Sequence, residues 1–477
     1  MRIKRFTVSG FKNFTQEVVL DDLGEICVIH GENNVGKSNL LEAMHLLLST
    51  CFIRFENLFG FKMEHFRFPI TFEMTPQDIT GNMKKSLPIF SLESKNVPIC
   101  LSTILEIESE LFLNDASIKQ IFHSNSEFII PDFLEIKIDF QVNQQDSDFG
   151  QKKYIFAMRE LVFSDVCFSS QQEFTDDEEN IFSIILRKIH NILITHIVER
   201  HWKGVSQFSE GIFIIIGTDR RIAFREVENE QERCIVPQFL KSQLYDLRNS
   251  SLESDDYKKW RLFTQVMKNF KNLFGEGEFA TTYNRVSGLV DLVFETKDTR
   301  TSIDSFGSGI QQVIALIARL LVSNATFVAI EEPELNLRYT LQLRLYEVFK
   351  EIVADPAGPS QIFLTSHSPA FEHGEHFYHM HTSEHGVIVE KRPIYQARIA
   401  TGMNCDDSLT GKSAPYSYVT SEGLVRLPEH LLKDLNIPYG GGIFILKRKD
   451  NEHVELLTDE QYFDLFESTD EEASEHE

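Results

Sequence analysis

The stretch Glu25-Ile26-Cys27-Val28-Ile29-His30-Gly31-Glu32-Asn33-Asn34-Val35-Gly36-Lys37-Ser38 decides the fold. An apolar run of buried-strand character, Glu25 to His30, enters a loop bounded by two glycines. A helix is predicted from about Ser38 to Ser49, because Leu40, Leu41, Met44, Leu47 and Leu48 fall at helical spacing. The loop has the form Gly-x4-Gly-Lys-Ser. Its backbone N–H groups and the N-terminus of the helix behind them make a nest for the α- and β-phosphates of a nucleotide. Lys37 would neutralise the β- and γ-phosphates, and the Ser38 hydroxyl would ligate Mg²⁺. Asn34 stands where many such loops have glycine, and asparagine tolerates left-handed backbone better than most side chains. The predicted nucleotide contacts are Gly31, Asn33, Asn34, Val35, Gly36, Lys37, Ser38 and Asn39. A glycine turn that merely caps a structural helix is the alternative, and the strand–loop–helix setting argues against it.

Upstream, two strands are expected, one through Ile3, Phe6 and Val8 and one at Val18–Leu20, with Phe11-Lys12-Asn13-Phe14 as a turn. Far downstream, strands and helices alternate again. A strand at Leu289–Phe294 precedes the turn Ser305-Phe306-Gly307-Ser308-Gly309. A helix follows, with Ile310, Val313, Ile314, Ile317, Leu320 and Leu321 on one face. Then come a strand at Thr326–Ile330, a helix over about 338–353, and a strand at Gln361–Thr365 leading into Ser366-His367-Ser368-Pro369. This alternation implies a largely parallel sheet with its site at the carboxyl ends of the strands.

Three further groups carry chemistry. Thr326–Ile330 delivers Glu331-Glu332-Pro333-Glu334 at a strand end. There Glu331 would hold the metal, and Glu332 would orient or deprotonate the attacking water. On their own, acids after a strand also serve as caps of a following helix. Ser308 and Gly309 at a helix N-terminus form a second phosphate nest or an ordinary N-cap. His367, just past a central strand, can reach a γ-phosphate, although a lone histidine is more often structural.

Taken in order, these four elements resemble the ABC-type ATPases of the SMC/RecF class. Three stretches look more narrowly like the overcoming-lysogenization-defect (OLD) branch, which is rich in bacterial anti-phage ATPases. They are Gly-x-Asn-Asn-x-Gly-Lys-Ser, Phe306-Gly-Ser-Gly-Ile-Gln-Gln312 and Ile330-Glu-Glu-Pro-Glu334. The resemblance covers about 1–50 and 285–395 and includes the hairpin Ile3…Phe14. It implies ATP and Mg²⁺ as cofactors and ATP hydrolysis as the reaction, with Glu332 and His367 as catalytic residues and Ser38 and Glu331 on the metal. It also implies nucleotide sandwiched between the P-loop of one subunit and Ser308-Gly309 of another, hence a homodimer or higher homo-oligomer. Asn336-Leu337-Arg338 departs from the branch, which often has histidine and proline after the glutamates. After His367 there is no Asp-x-Asp of a Toprim nuclease, so a separate nuclease effector is expected. The alternatives are a RecF-like repair ATPase acting directly on DNA, and a regulator that binds operator DNA.

The expected fold class is α/β: an ABC-type P-loop ATPase fold with an inserted mixed α/β region and a small β-rich C-terminal domain. The ATPase domain is split over 1–50 and 285–400, with the insertion at 51–284. A polar linker lies at 406–418, a compact unit at 419–467 and an acidic tail at 468–477. The insertion mixes strand-like runs (Leu134–Val142, Ile212–Ile216) with helix-like ones (Glu179–Val198, Tyr257–Leu273). No heptads sustain a coiled coil. The C-terminal unit, with Gly423–Pro428, Ile443–Leu446 and Val454–Leu457 as strands, looks similar to AbrB-like swapped hairpins. Arg426, Lys447, Arg448 and Lys449 could touch phosphates, and a solvated face or partner-binding hairpin is as open a reading.

Composition sets outer bounds on function. With 47 Lys+Arg against 72 Asp+Glu the net charge is −25 over 477 residues, so direct DNA affinity is expected to be weak and salt-sensitive. No apolar run approaches the ~18 residues a membrane span needs, and Met1–Phe6 is no secretion signal. Six scattered cysteines without a CxxC pair fit a reducing cytoplasm. The 40 phenylalanines are expected as core. His373, His376, His379, His381 and His385 crowd one stretch. They are not assigned a metal, because their spacing crosses a predicted loop and strand. Arg220-Arg221 could line a DNA groove or contact nucleotide, or form a solvated turn.

Overall fold

A computed structural model describes residues 1–51, 70–74, 98–108, 133–146, 152–163, 166–169, 212–218, 237–286, 289–371, 376–384 and 386–393, together with four short strands further on. The chain divides into two compact units, Met1–Arg392 and Pro393–Glu477. Glu179–Val198, Arg220-Arg221, the linker and the acidic tail lie outside the described residues, as does most of the C-terminal unit.

The first unit is built on two large sheets. One runs in the order β16-β15-β3-β14-β13-β9. Its strands are β3 (Ile26–Gly31), β9 (Phe213–Ile216), β13 (Phe327–Glu331), β14 (Gln361–Ser366), β15 (His376–Ser383) and β16 (Gly386–Pro393). Pairing is parallel from β15 through β3, β14 and β13 to β9. Strands covered on both faces should be continuously apolar, and every residue of β14 and four consecutive residues of β3 are buried.

The second sheet is antiparallel where its pairings are described. It joins β1 (Arg2–Ser9) and β2 (Val18–Asp21) to β4 (Ile70–Met74), β5 (Ile99–Glu108), β6 (Phe133–Asp146), β7 (Lys152–Phe163) and β8 (Val166–Ser169). β1 lies between β2 and β5. In β5, alternate residues Ile99, Leu101, Thr103, Leu105 and Ile107 are buried, the two-residue period of a sheet with one face on the core. The segment expected as an insertion therefore shares a sheet with the N-terminal strands, and it also supplies β9 to the parallel sheet. A two-stranded hairpin is marginal alone, so β1–β2 gains its stability from β5–β7.

Helix α1 (Lys37–His45) packs its buried Leu40, Leu41 and Met44 into a core shared by both sheets. The chain continues as a π-helical turn, Leu46–Cys51, in which Leu46, Leu47 and Leu48 are all buried. Gln361 ties the two sheets together. It is fully buried, accepts from the Ile3 N–H at 2.9 Å, and donates to the carbonyls of Ile3 (3.0 Å) and Gly24 (2.7 Å).

A three-stranded antiparallel sheet, β10 (Glu278–Tyr283), β11 (Val290–Glu295) and β12 (Arg300–Ser302), packs against α2 (Pro237–Asn249), and α3 (Asp255–Met267) packs against α2 and meets Phe279 of β10 through the Phe263 ring. Helices α4 (Ser308–Val322) and α5 (Tyr339–Ala354) flank β13 in sequence. The largest fully buried side chains are all phenylalanines, the expected core material. In the second unit, β17 (Tyr418–Val419) pairs antiparallel with β18 (Val425–Arg426), and β19 (Phe444–Lys447) with β20 (Val454–Leu457). Among the described residues, no helix is long and apolar enough to cross a membrane.

Candidate active site

The parallel sheet brings its functional residues to one edge. Gly31 ends β3, Glu331 ends β13, Ser366 ends β14, and Gly217 follows β9. At Gly31 a Cβ would stand 2.5 Å from the Met380 carbonyl of β15, so only glycine lets the loop leave the sheet there. Asn34 has φ 64°, the left-handed backbone its side chain tolerates. Gly36, at φ 107°, is the N-cap of α1, where a Cβ would be 2.3 Å from the Asn13 amide nitrogen.

Asn13 went unremarked as a site residue, yet it braces the loop from the first hairpin. Its amide donates to the Val35 carbonyl at 2.9 Å and accepts from Asn39 Nδ2 at 2.7 Å. The neighbouring Lys12 ion-pairs with Glu42 of α1. Asn39, expected at the nucleotide, thus spends its side-chain amide on this brace. Asn13→Ala removes two hydrogen bonds of about 1 kcal/mol each. The expected result is nucleotide affinity lowered about tenfold with the fold intact, measured by titration with a fluorescent nucleotide; an unchanged Kd would remove Asn13 from the site.

Lys37 is 7% exposed, and its ammonium is turned inward. It donates to the carbonyls of Gly31 (2.8 Å) and Glu32 (2.9 Å) and to His367 Nε2 (2.9 Å). An ammonium has no acceptor, so the His367 Nε2 lone pair receives this bond and its ring proton sits on Nδ1. Burial pushes Lys37 below the usual lysine range, while Glu332 and Glu334 pull it back up. All three acceptors are uncharged. Helix α1 has no side-chain cap and no acid in its first turn. A cation held only by neutral groups, beside an uncapped helix N-terminus, fits a polyanion such as the ATP phosphates.

The acids come from β13. Glu331 Oε2 lies against Gly217 at the end of β9, where a Cβ would come within 3.4 Å of it. Glu332 turns the chain with φ 45°, and its N–H donates to the Thr365 carbonyl at 2.8 Å. Its Oε1 stands 3.8 Å from His367 Nε2. Glu334 closes the Glu331-Glu332-Pro333-Glu334 run, and the sequence assigns it no role. Its Oε1 accepts from Ser366 Oγ (2.8 Å) and from the His367 backbone N–H (2.6 Å), and so fixes the main chain at His367. Its Oε2 is buried without a hydrogen-bond partner among the described residues. Gln342 adds a second tie, donating to the Leu337 carbonyl (2.8 Å) and accepting from Ser368 Oγ (2.5 Å). An oxygen donor set of carboxylates and the exposed Ser38 hydroxyl suits Mg²⁺.

Residues 1–371 match the model of the AAA ATPase domain family, more than three quarters of the 477-residue chain. The chain belongs to the AAA ATPase domain family. Its reaction is ATP hydrolysis. This ATPase is similar to a protein of Helicobacter pylori (strain ATCC 700392 / 26695) named "ATP/GTP phosphatase", with 22% identity over 376 residues, covering 77% of this chain and 86% of the relative. Among solved structures it is similar to an SMC head bound to the C-terminal winged-helix domain of ScpA (12% identity; 83% of this chain and 100% of that one; TM-score 0.44). It is also similar to the SMC head domain from Thermotoga maritima (11% identity; 82% and 99%; TM-score 0.39).

The ATPase keeps Ser308 and Gly309 at a second helix N-terminus. Ser308 is exposed, and α4 carries no side-chain cap and no acid in its first turn. The loop before it is held by Gln311, whose amide donates to the carbonyls of Asp304 (3.0 Å) and Phe306 (2.9 Å). Behind it lies the segment after the glutamates: a Cβ on Gly309 would meet the Asn336 carbonyl at 3.1 Å, and Asn336 Nδ2 lies 3.4 Å from Gln312 Oε1. Asn336 itself has φ 60°.

Proposed function

We propose that this ATPase is the nucleotide-driven sensor and scaffold of a bacterial anti-phage complex, working as a homodimer with a separate nuclease. The observation that supports the dimer is that two of the uncapped helix N-termini, those of α1 and α4, stand at the predicted phosphate-binding residues. That of α1 comes with Lys37, Glu331, Glu332 and His367. That of α4 comes with Ser308 and Gly309 and is exposed. Each offers free N–H groups to an anion, so one nucleotide can be held between the first end of one copy and the second end of another. Bound ATP would supply the phosphoanhydride to be cleaved, and Mg²⁺ would supply positive charge to offset the phosphates. Gly31 and Asn33 to Ser38 then bind the phosphates, and Ser38 and Glu331 hold the metal. Glu332 orients or deprotonates water, and His367, held at its backbone by Glu334, reaches toward the γ-phosphate with its ring.

The defence role rests on the OLD-like motifs and on the missing Asp-x-Asp after His367. The AbrB-like unit, with its basic Lys447 to Lys449, is the surface offered to a partner or to DNA. With a non-hydrolysable ATP analogue the full chain should sediment as a dimer. Ser308→Arg should remain monomeric while still binding nucleotide; a dimer unaffected by Ser308→Arg sinks the sandwich. Co-expression with the neighbouring genes, followed by mass spectrometry of what co-purifies, tests the effector. A complex lacking any nuclease removes that part of the reading.

A further inference from the structure

The histidine-rich stretch, left without a metal on sequence spacing, takes a different shape once folded. His379 and His381 are two residues apart on β15 and so lie on one face of the strand. Glu390 comes from the neighbouring strand β16. One ligand atom from each of the three lies within 4.8 Å of the others. His381 Nε2 is 3.9 Å from Glu390 Oε1, too long for a hydrogen bond and wide enough for a shared ion after a small side-chain adjustment. The Nδ1 atoms of both histidines are buried and find no hydrogen-bond partner among the described residues. Buried imidazole nitrogens normally find partners, so this cluster is under-satisfied as it stands, while His381 offers its Nε2 on the Glu390 side.

We propose that His379, His381 and Glu390 form a binding site for a divalent transition-metal ion of the zinc type, which staples β15 to β16 beside the nucleotide loop. The donor set, two imidazoles and one carboxylate, suits a borderline ion rather than Mg²⁺ or Ca²⁺. Three protein ligands leave a further position for water or a ligand. The electrostatics agree. His379 is pushed below the usual histidine range, first by burial and then by Arg392 and His381, which favours the neutral, ligating form. His30, in register with His379 on β3, is pushed down to about 3, mainly by burial, and adds no positive charge. Arg392 holds the other oxygen of Glu390, with its Nη2 at 3.0 Å from Oε2. That leaves Oε1 for the ion and orients it, as outer-shell partners do. The same strand places the Met380 carbonyl against Gly31, so an ion here would stiffen the edge on which the phosphate loop begins.

The test uses the full chain, stripped with EDTA and free of nucleotide. Zn²⁺ is titrated against a chromophoric chelator, and Co²⁺ is read by its d–d absorption. The expected result is one saturable site, a Co²⁺ spectrum of low coordination number, and a higher Tm with zinc. His381→Ala should weaken binding by at least about 100-fold, because even outer-shell losses cost 10–100-fold. Glu390→Gln, at an exposed position, keeps the shape and should also weaken it, which settles the matter if the histidine variant fails to fold. No saturable zinc binding, or binding undiminished in folded His381→Ala and Glu390→Gln, overturns the proposal. Retained ATP hydrolysis in Glu390→Gln alongside lost zinc binding separates this site from the active site.

Discussion

Lys37→Ala will abolish ATP turnover while the chain stays folded. The ammonium is the only cation hydrogen-bonded to the start of the phosphate loop among the described residues, and its three acceptors are neutral groups that a phosphate can replace. Losing one preorganised charge-assisted donor costs about 10²–10³-fold in rate, and here nucleotide affinity goes with it. Stability should barely move. Burial disfavours the charged ammonium, so its removal gives up little net stability, although it leaves two carbonyls and an imidazole to find other partners. Steady-state phosphate release and nucleotide titration, with circular dichroism as the fold check, decide it. Wild-type turnover in a folded Lys37→Ala variant would overturn the site assignment.

Glu332→Gln will bind ATP normally, hydrolyse it about 10²–10⁴-fold more slowly, and accumulate as the nucleotide-closed dimer. The amide is isosteric, and the structural duty of the residue is carried by its backbone: the left-handed turn at φ 45° and the N–H bond to Thr365 survive the change. The observed geometry separates the three acids. Glu331 lies against Gly217, Glu334 is spent on Ser366 and the His367 N–H, and Glu332 faces His367 Nε2 at 3.8 Å. Glu334→Gln should therefore act differently, by loosening His367 and not by removing a base. Single-turnover hydrolysis with Mg²⁺-ATP separates these outcomes. If Glu331→Gln lost hydrolysis selectively with Mg²⁺-ATP binding intact, the roles of Glu331 and Glu332 would be exchanged.

What the sequence by itself determined is local. Strand, loop and helix around Gly31–Ser38 follow from an apolar run, two glycines and a 3.6-residue period. The strands ending at Glu331 and Ser366 follow from short apolar runs bounded by polar turns. Each is decided within a dozen residues, so a linear reading recovers it. The tertiary structure decided what joins distant segments. Lys37 meets His367 across 330 positions, and Gln361 reaches Ile3 across 358. The strict alternation of β5 is legible in Ile99–Ile107, but its partner β1 is not, because period two names the buried face and says nothing about which strand lies alongside. For the same reason β9 read as part of an insertion, although it completes the parallel sheet. Asn13 and Glu334 sit within recognisable stretches, but nothing in those stretches names the groups they bond. A lone amide or carboxylate becomes a brace only when sheet order puts Val35, Asn39, Ser366 and His367 within reach. His379, His381 and Glu390 show it most plainly: the crowded histidines are legible in sequence, but only strand pairing brings Glu390 beside them.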